Sequence, residues 1–554
     1  MSYPLSIHAL VIEDDEGAKE AYKGIFESIT ADITGLPFSA VLPSFAFSYS
    51  EAVACLDSSK IFHVVVLDLR LPEKPKMPPA EGVDLGIMLL NRCIERDRYP
   101  IPSLLVISGH IGSTEQARLQ DAVHQGFHYG RTLVKGDYGL LQEEIRLACN
   151  EALRYCSVGV HVRDAGQEQF PTISPREEDL LRRSALQQSG VIGLDLDWWS
   201  AKRLVAISKS REERENPWTK VLMGRYLLDG GRGASRPKFF KLMDGFDAKS
   251  VIDSARYVEQ KLTHIKLACH VTAKSRALIV TEKVGAQDAR PSSLEAIFTS
   301  PESGRARKVA VQIADQVQQL GDILQESKPL KDMLWPSHDI ARLTDQWNRL
   351  GPQVQNQLGY DTDPVALLSE ILAHEGKQRI AEQSLVHGDL HMSNVALDIE
   401  PNGAQAYIFD AGVVKRNVAG RDIAVLEASV LLHQRVEHED FVRVCSILYS
   451  PAASGAEEGT AGPISGIAKE VLEFVLALRE AASSWNDLEV YALMIFDFVL
   501  IQVGGLAFGS YGNKIVDETA AAYLLAVVGE WYRQIRKRSV FPSGRVGSRP
   551  EVGR

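Results

Sequence analysis

His63–Leu67 reads HVVVL, an apolar run with no polar interruption, and it stops at Asp68. A run that is apolar on both alternating faces fits a parallel strand covered on both sides. Three more such runs lie in the first 150 residues: Ile7–Ile12, ending in acids; Ser103–Ile107, ending at Ser108; and Thr132–Val134, ending at Lys135. Helix-period segments separate them, at Ala18–Ser28, Gly82–Glu95 and Thr114–Gln125. Alternating strands and helices predict a doubly wound α/β domain, in which function gathers at the carboxyl ends of the strands. Glu13, Asp14, Asp68, Ser108 and Lys135 all fall at such ends. Clustered carboxylates repel unless a cation joins them. A hard divalent ion with oxygen ligands, Mg²⁺, meets that need, and a carboxylate beside it can act as a nucleophile toward a phosphoryl donor.

Taken in order, these five positions resemble the receiver domain of two-component response regulators, over residues 1–155. The resemblance implies a flavodoxin-like fold with Asp68 as phosphoacceptor. It implies that Glu13, Asp14 and Asp68 hold Mg²⁺, that Ser108 is the switch hydroxyl, and that Lys135 binds the phosphoryl group. It also implies a sensor histidine kinase as partner and allows a homodimer. Three features depart from the family. Gly136 follows Lys135 where proline is usual. Thr132 stands where a switch aromatic is common, with Tyr129 the nearest aromatic upstream. Glu73–Glu81, with three prolines, lengthens the loop after Asp68.

The chain of 554 residues has room for three or four folding units, at roughly 100–200 residues each. Residues 156–218 read as a linker or helical connector, or as the first part of the next domain. A helix is expected from Pro175, with Leu180, Leu181 and Ala185 on one face. Trp198 and Trp199 read as packing residues. From 219 the pattern turns β-rich: Lys220–Leu228, a glycine cluster, Lys238–Leu242, a helix over Lys249–Leu267, then Ala277–Val284. Beyond 300 helices dominate, interrupted at Val386–Leu397 and Tyr407–Val414.

Leu385–Leu397 reads LVHGDLHMSNVAL, and Tyr407–Gly412 reads YIFDAG. Phosphoryl transfer from ATP needs a carboxylate to orient or deprotonate the attacking hydroxyl, and oxygen ligands that hold Mg²⁺ against the phosphates. An Asp, an Asn five residues on, and an Asp closing a short strand supply those parts. The residues resemble the aminoglycoside phosphotransferase and choline kinase group, within the bilobal α+β protein-kinase-like fold. The resemblance implies Asp389 as catalytic carboxylate and Asn394 and Asp410 as Mg²⁺ ligands. It implies that His387 braces the loop and that Asp422 ties it to a helix, while His391 either lines the acceptor site or, as the preferred reading, packs. For ATP, Gly230, Gly231 and Gly233 are the candidate phosphate-covering loop, Lys241 the phosphate lysine with Lys238 as rival, and Glu259 or Asp253 its partner. Glu282 to Val284 would form the adenine hinge. The implied lobes span 219–300 and 301–540, and a basic tail occupies 541–554.

The net charge of −11 argues against a general nucleic-acid binder. The six cysteines form no C-x-x-C pair, which fits free thiols in a reducing cytoplasm. The N-terminus meets acids too early for a secretory signal, so a cytoplasmic location is expected. The apolar run Val490–Phe508 contains Asp497 and Gln502, which marks a buried core helix rather than a membrane span. The basic cluster Arg533, Arg536, Lys537 and Arg538 reads as a solvated helix end. The combined expectation is a receiver-gated phosphotransferase acting on a protein or small-molecule hydroxyl. The alternatives are a nucleotide-binding scaffold and an antibiotic-modifying enzyme.

Overall fold

The computed structural model describes most of residues 5–540; outside the described residues lie 1–4, 204–217, 330–343, 451–463, 507–517 and 541–554, with shorter stretches that include 109–118, 230–233, 283–290, 410–413 and residue 389. The chain forms two compact units. The first comprises Met1–Trp199, Val221–Ala248 and Ala268–Thr281; the second comprises Ser200–Lys220, Lys249–Leu267 and Glu282–Arg554.

The first unit opens with five strands, β1 (Leu5–Ile12), β2 (Phe38–Ala46), β3 (Val64–Asp68), β4 (Ser103–Ser108) and β5 (Tyr129–Val134). They form one sheet in the order β2-β1-β3-β4-β5, with every pairing parallel. This is the flavodoxin-like order, whose switch point lies between β1 and β3. Helices α1 (Ala18–Asp32), α2 (Tyr49–Asp57), α3 (Asp84–Glu95) and α4 (Tyr138–Ser157) accompany the strands. The apolar run of β3 is explained by its two cores. Val64 and Val66 pack with Phe26 of α1 and Ile145 and Ala148 of α4. Val65 and Leu67 pack on the opposite face with Leu56, Leu89 and Leu90.

A six-stranded sheet follows in the same unit, in the order β10-β11-β9-β8-β7-β6. Its members are β6 (Gly159–Arg163), β7 (Val191–Arg203), β8 (Trp218–Leu228), β9 (Lys238–Asp244), β10 (Lys266–Ala273) and β11 (Arg276–Glu282). Within 156–218 the described residues include β6, which pairs parallel with β7, and both belong to this sheet, in keeping with the second of the two readings, the first part of the next domain. Leu194 and Leu196, two apart on β7, are fully buried, and this period-2 pattern defines the inward face. Trp199 packs edge-on against Phe239.

The expected helix at Pro175 is α5 (Pro175–Leu186), started by a capping box in which Ser174 and Glu177 satisfy each other's backbone N–H. Leu180, Leu181 and Ala185 enter the core of the six-stranded sheet with Leu194, Tyr226 and Phe240. The polar side of α5 holds the five-stranded part. Asp179 accepts from Tyr155 Oη at 2.9 Å and pairs with Arg183 at 2.8 Å. Arg183 also donates to the Gly126 carbonyl at 2.6 Å, and Arg182 donates to the Tyr155 and Val158 carbonyls.

In the second unit, α6 (Ala248–Lys261) ends short of the expected Leu267, because β10 begins at Lys266. Next come β12 (Ser292–Ser293), α7 (Ala296–Thr299), α8 (Arg305–Leu320), β13 (Ile323–Pro329), α9 (Pro364–His374), β14 (Ile380–Val386), β15 (Val395–Glu400), β16 (Gly403–Ile408) and β17 (Lys415–Val418). Two three-stranded sheets result, β12-β15-β16 and β13-β14-β17, so strands are more frequent beyond residue 300 than the sequence suggested. Helices α10 (Arg421–His433), α11 (His438–Tyr449), α12 (Gly466–Ala482), α13 (Leu488–Leu506) and α14 (Glu518–Val540) complete the unit. Asp497 in apolar α13 has no solvent exposure and pairs with Arg421 at 2.7 Å. No helix among the described residues is long and apolar enough to cross a membrane.

Candidate functional sites

In the second unit, β14 carries the chain into the HGDLHMSN loop, and α10 fixes that loop from below. Asp422, in the first turn of α10, is 3% exposed. Its two oxygens accept from the backbone N–H of His387 at 2.7 Å and of Gly388 at 3.1 Å. Two turns on, Ser429 Oγ accepts from Met392 N at 3.0 Å. Positions seven apart share a helix face, so α10 grips both limbs of the loop with one stripe. Gly388 has φ +81°, a left-handed conformation in which a side chain is strained.

His387 is fully buried, and its Nε2 lies 3.1 Å from the carbonyl of Phe409. A carbonyl can only accept, so Nε2 carries the proton. Phe409 N donates to the Asn394 carbonyl at 3.0 Å, and Asn394 N donates to the His391 carbonyl at 2.9 Å. Asn394 is itself 1% exposed. These bonds tie the loop to the residue just before Asp410. Asp389 and Asp410 lie outside the described residues. Their chain neighbours Gly388 and Phe409 are two of the pinned points. His387 and Asp422 are thus both among the residues that hydrogen-bond this loop. Ser429 and Phe409 were not singled out from sequence, and a helix serine in a mixed segment gives no signal of this kind.

A second layer holds α10. Glu427 is fully buried, and its carboxylate accepts from Tyr449 Oη, Tyr491 Oη and two nitrogens of Arg479, at 2.6–3.0 Å. Arg479 stacks over Tyr449 and Trp531. Burial opposes the Arg479 charge, but the Glu427 carboxylate more than offsets it and holds the guanidinium firmly protonated.

The nucleotide-contact candidates divide between the units. Gly230, Gly231, Gly233 and Val284 lie outside the described residues, while Glu282 closes β11, half-buried. Lys238 and Lys241 are both buried on β9. Strand alternation separates them. Lys238 shares a face with Phe240 and Leu242, which pack in the core with α5, whereas Lys241 shares the opposite face with Phe239 and Met243. Asp253 is exposed on α6. Glu259 Oε1 accepts from Leu267 N at 3.3 Å, which gives this acid a local role at the end of α6.

In the first unit the strand ends bring the acids together. Oxygens of Glu13, Asp14 and Asp68 lie within 4.8 Å of one another. Lys135 Nζ sits 2.7 Å from both Glu13 and Asp68 and 3.8 Å from Asp14. Burial, then the neighbouring Asp68, raises the Glu13 carboxyl to about 7 against the pull of Lys135. Three acids face one ammonium, so the donor set has the charge and the oxygen chemistry to take Mg²⁺. Ser108 is 4% exposed at the end of β4, and its carbonyl accepts from Lys135 N. Asp68 Oδ1 accepts from Arg70 N at 3.0 Å. Gly136 has φ +126°, which proline cannot adopt, so its presence reflects a different turn after Lys135. Tyr129 starts β5, at the opposite end from Lys135, and bonds Glu144, so it is not an aromatic of this site.

No protein-family model matches the sequence. No curated protein matches it either. Among solved structures, the chain is similar to an ethanolamine kinase of Plasmodium vivax, with a TM-score of 0.29 and 12% identity, over 57% of this chain and 80% of that one. It is also similar to a chain described as an aminoglycoside phosphotransferase from Ralstonia eutropha, with a TM-score of 0.32 and 11% identity, over 63% of this chain and 97% of that one.

Proposed function

We propose that the second unit carries the catalytic loop of an ATP-dependent phosphotransferase, and that the acidic pocket of the first unit is a receiver-type phosphoacceptor site that regulates it. The carrying observation is the loop His387–Asn394, pinned by Asp422 and Ser429 and joined through His387 and Asn394 to Phe409. A loop held at that many points presents its side chains with little freedom, which phosphoryl transfer requires.

In this reading Asp389 accepts the proton of the acceptor hydroxyl as its oxygen bonds to the γ-phosphorus. The bond from that phosphorus to the β–γ bridging oxygen breaks, and ADP leaves. Asn394 and Asp410 would hold Mg²⁺, which supplies charge neutralisation at the phosphates. Lys241 is the better phosphate lysine of the two, because Lys238 faces the α5 core. The acceptor is a protein or small-molecule hydroxyl.

The receiver part rests on the acidic pocket alone. Asp68 would take a phosphoryl group from a sensor histidine kinase, with Lys135 and Ser108 binding its oxygens. Added negative charge there changes the contacts of the surrounding elements and gates the transferase. A cytoplasmic protein, able to form a homodimer, suits this role.

The test is transfer from γ-labelled Mg-ATP into cell extract by the intact protein, by Asp389→Ala, and by each in the presence of beryllofluoride. Labelling that disappears in Asp389→Ala supports the transferase, and a change with beryllofluoride supports the gate. ATP binding with no Asp389-dependent labelling overturns the enzyme and leaves a nucleotide-binding scaffold.

A further inference from the structure

The strand that leads into the His387–Asn394 loop and the helix that holds it share the walls of a cavity of about 290 Å³. Ser384 and Val386 line it from β14, Ala419 and Asp422 from the turn into α10, and Val317 and Gly321 from the end of α8. A cavity of roughly 150 Å³ already holds benzene, so this one has room for a two-ring molecule. Gly321 keeps it open. Its φ is −84° and its ψ 100°, which ordinary residues adopt, so the backbone does not call for glycine there. A Cβ at that position would lie 3.9 Å from Ser384 Cβ and 3.5 Å from the Leu385 carbonyl oxygen. A longer side chain would start toward β14 and fill the space.

The walls are mostly apolar, with Val317, Val386 and Ala419 all buried. Two polar groups interrupt them. Ser384 is 5% exposed, and its hydroxyl makes no hydrogen bond to another described residue. A buried hydroxyl without a partner is costly, and an occupant that bonds it removes that cost. Asp422 is the single charged residue among the described walls. It accepts from the His387 and Gly388 amides, yet an ionised carboxylate has about four lone-pair sites and takes a further donor beside them. A flat apolar molecule with one hydroxyl matches this set, because its O–H can donate to Asp422 and its oxygen can accept from Ser384. An ammonium would surrender its hydration against three apolar walls, and an anion would meet the Asp422 charge.

We propose that this cavity binds a small neutral phenol-like molecule, and that its occupant stiffens the His387–Asn394 loop from the strand side. The coupling follows from linkage. Opening that frees the His387 and Gly388 amides from Asp422 also dismantles a wall of the cavity, so the occupied protein opens less often. Neither binding nor exchange depends on catalysis by the loop, so loss of the phosphotransferase reading leaves both measurements intact.

The experiment uses the full chain with labelled valine methyls and 2-naphthol as probe, read by nuclear magnetic resonance. Saturable shifts are expected at the Val317 and Val386 methyls, with a dissociation constant of about 1 mM or below. At three times that constant, exchange of the His387 and Gly388 amides should slow about fourfold. Ser384→Ala should weaken binding about fivefold, the worth of one hydrogen bond. Gly321→Met should abolish it by occupying the space. 2-Methoxynaphthalene, which has no donor for Asp422, should bind more weakly than 2-naphthol.

An absence of shifts at Val317 and Val386 by about 3 mM overturns the proposal whatever the variants do. Undiminished binding by folded Gly321→Met overturns it too, because the naphthol then sits elsewhere. Equal binding of 2-methoxynaphthalene removes the polar recognition, and tighter binding of benzylammonium than of 2-naphthol overturns the neutral class. Shifts at both methyls with no change in amide exchange overturn the stiffening of the loop.

Discussion

Replacing Glu427 by glutamine changes one oxygen to an amide in a site with no solvent access. The carboxylate takes four hydrogen bonds, two from Arg479 and one each from Tyr449 and Tyr491. Glutamine keeps one acceptor and turns the other into a donor facing donors. The larger loss is electrostatic, because Arg479 stays charged beneath Trp531 and Tyr449 without a counter-ion. Breaking one side of a buried ion pair costs about 3–5 kcal/mol. Replacing both partners by apolar residues of similar volume is often nearly neutral, since no orphaned charge remains. Glu427→Gln should therefore lower the melting temperature of the second unit by roughly 10 °C, taking about 2–4 °C per kcal/mol for a domain of that size. The double variant Glu427→Met, Arg479→Met should recover most of the loss. The assay is thermal and urea unfolding followed by tryptophan fluorescence, with amide exchange read over α10. Exchange at His387 and Gly388 should quicken in Glu427→Gln, because Asp422 sits on the same helix. A loss under about 1 kcal/mol, or single-variant losses that simply add in the double variant, would refute the coupling.

On the proposed reading of Asp389 as the catalytic carboxylate, Asp422→Asn, which removes an acceptor for one of two loop amides, should lower kcat about a hundredfold while the protein stays folded, the effect of misplacing such a group by about an ångström; single-turnover kinetics would show it. His63 accepts from the His8 backbone N–H through Nδ1, and burial followed by the nearby His8 lowers it to about 4. A histidine held neutral in the folded state contributes stability that is full above its unfolded value of about 6.5 and is lost as the pH falls, so the first unit should lose about 2 kcal/mol between roughly pH 8 and pH 5. His63→Asn keeps an acceptor and should flatten that slope in urea titrations across the range. Gly136→Pro should destabilise the turn after Lys135 by about 3 kcal/mol or more, because proline cannot reach φ +126°; differential scanning calorimetry would read it.

Strands β3 and β4 are legible because both faces are buried, so their apolar runs are unbroken. Strand β2, FSAVLPSFA, is not. It is an edge strand, pairing only with β1, and it tolerates Pro43 where a central strand would not. Strand β6 alternates exposed and half-buried residues, GVHVR, and reads as loop until its neighbour is known. The helix expected to Leu267 overran because Leu262 and Leu267 continue an apolar pattern across the gap into β10. In the His387–Asn394 loop the motif stands out in the sequence, while the Ser429 and Phe409 contacts that hold it do not. Asp422 was reached through a family likeness. Gln316, whose buried amide bonds Ala406 and Ile408 of β16, stands in a helix of mixed polarity, where a buried amide and a solvated one look the same.

Helix α5 bears on how this chain can be rearranged. Its apolar side belongs to the six-stranded sheet, and its polar side closes on Tyr155 and the Gly126 carbonyl of the five-stranded part. A cut between the two sheets would leave the Asp179–Arg183 pair, at 7% exposure on each side chain, facing water without its outer partners. A transplanted front half would have to bring a phenol at the end of α4 and a free carbonyl ahead of β5. Exchanging the five-stranded part therefore means grafting through residue 186 and matching the sheet beneath, because the seam runs along a shared helix and not through a tether.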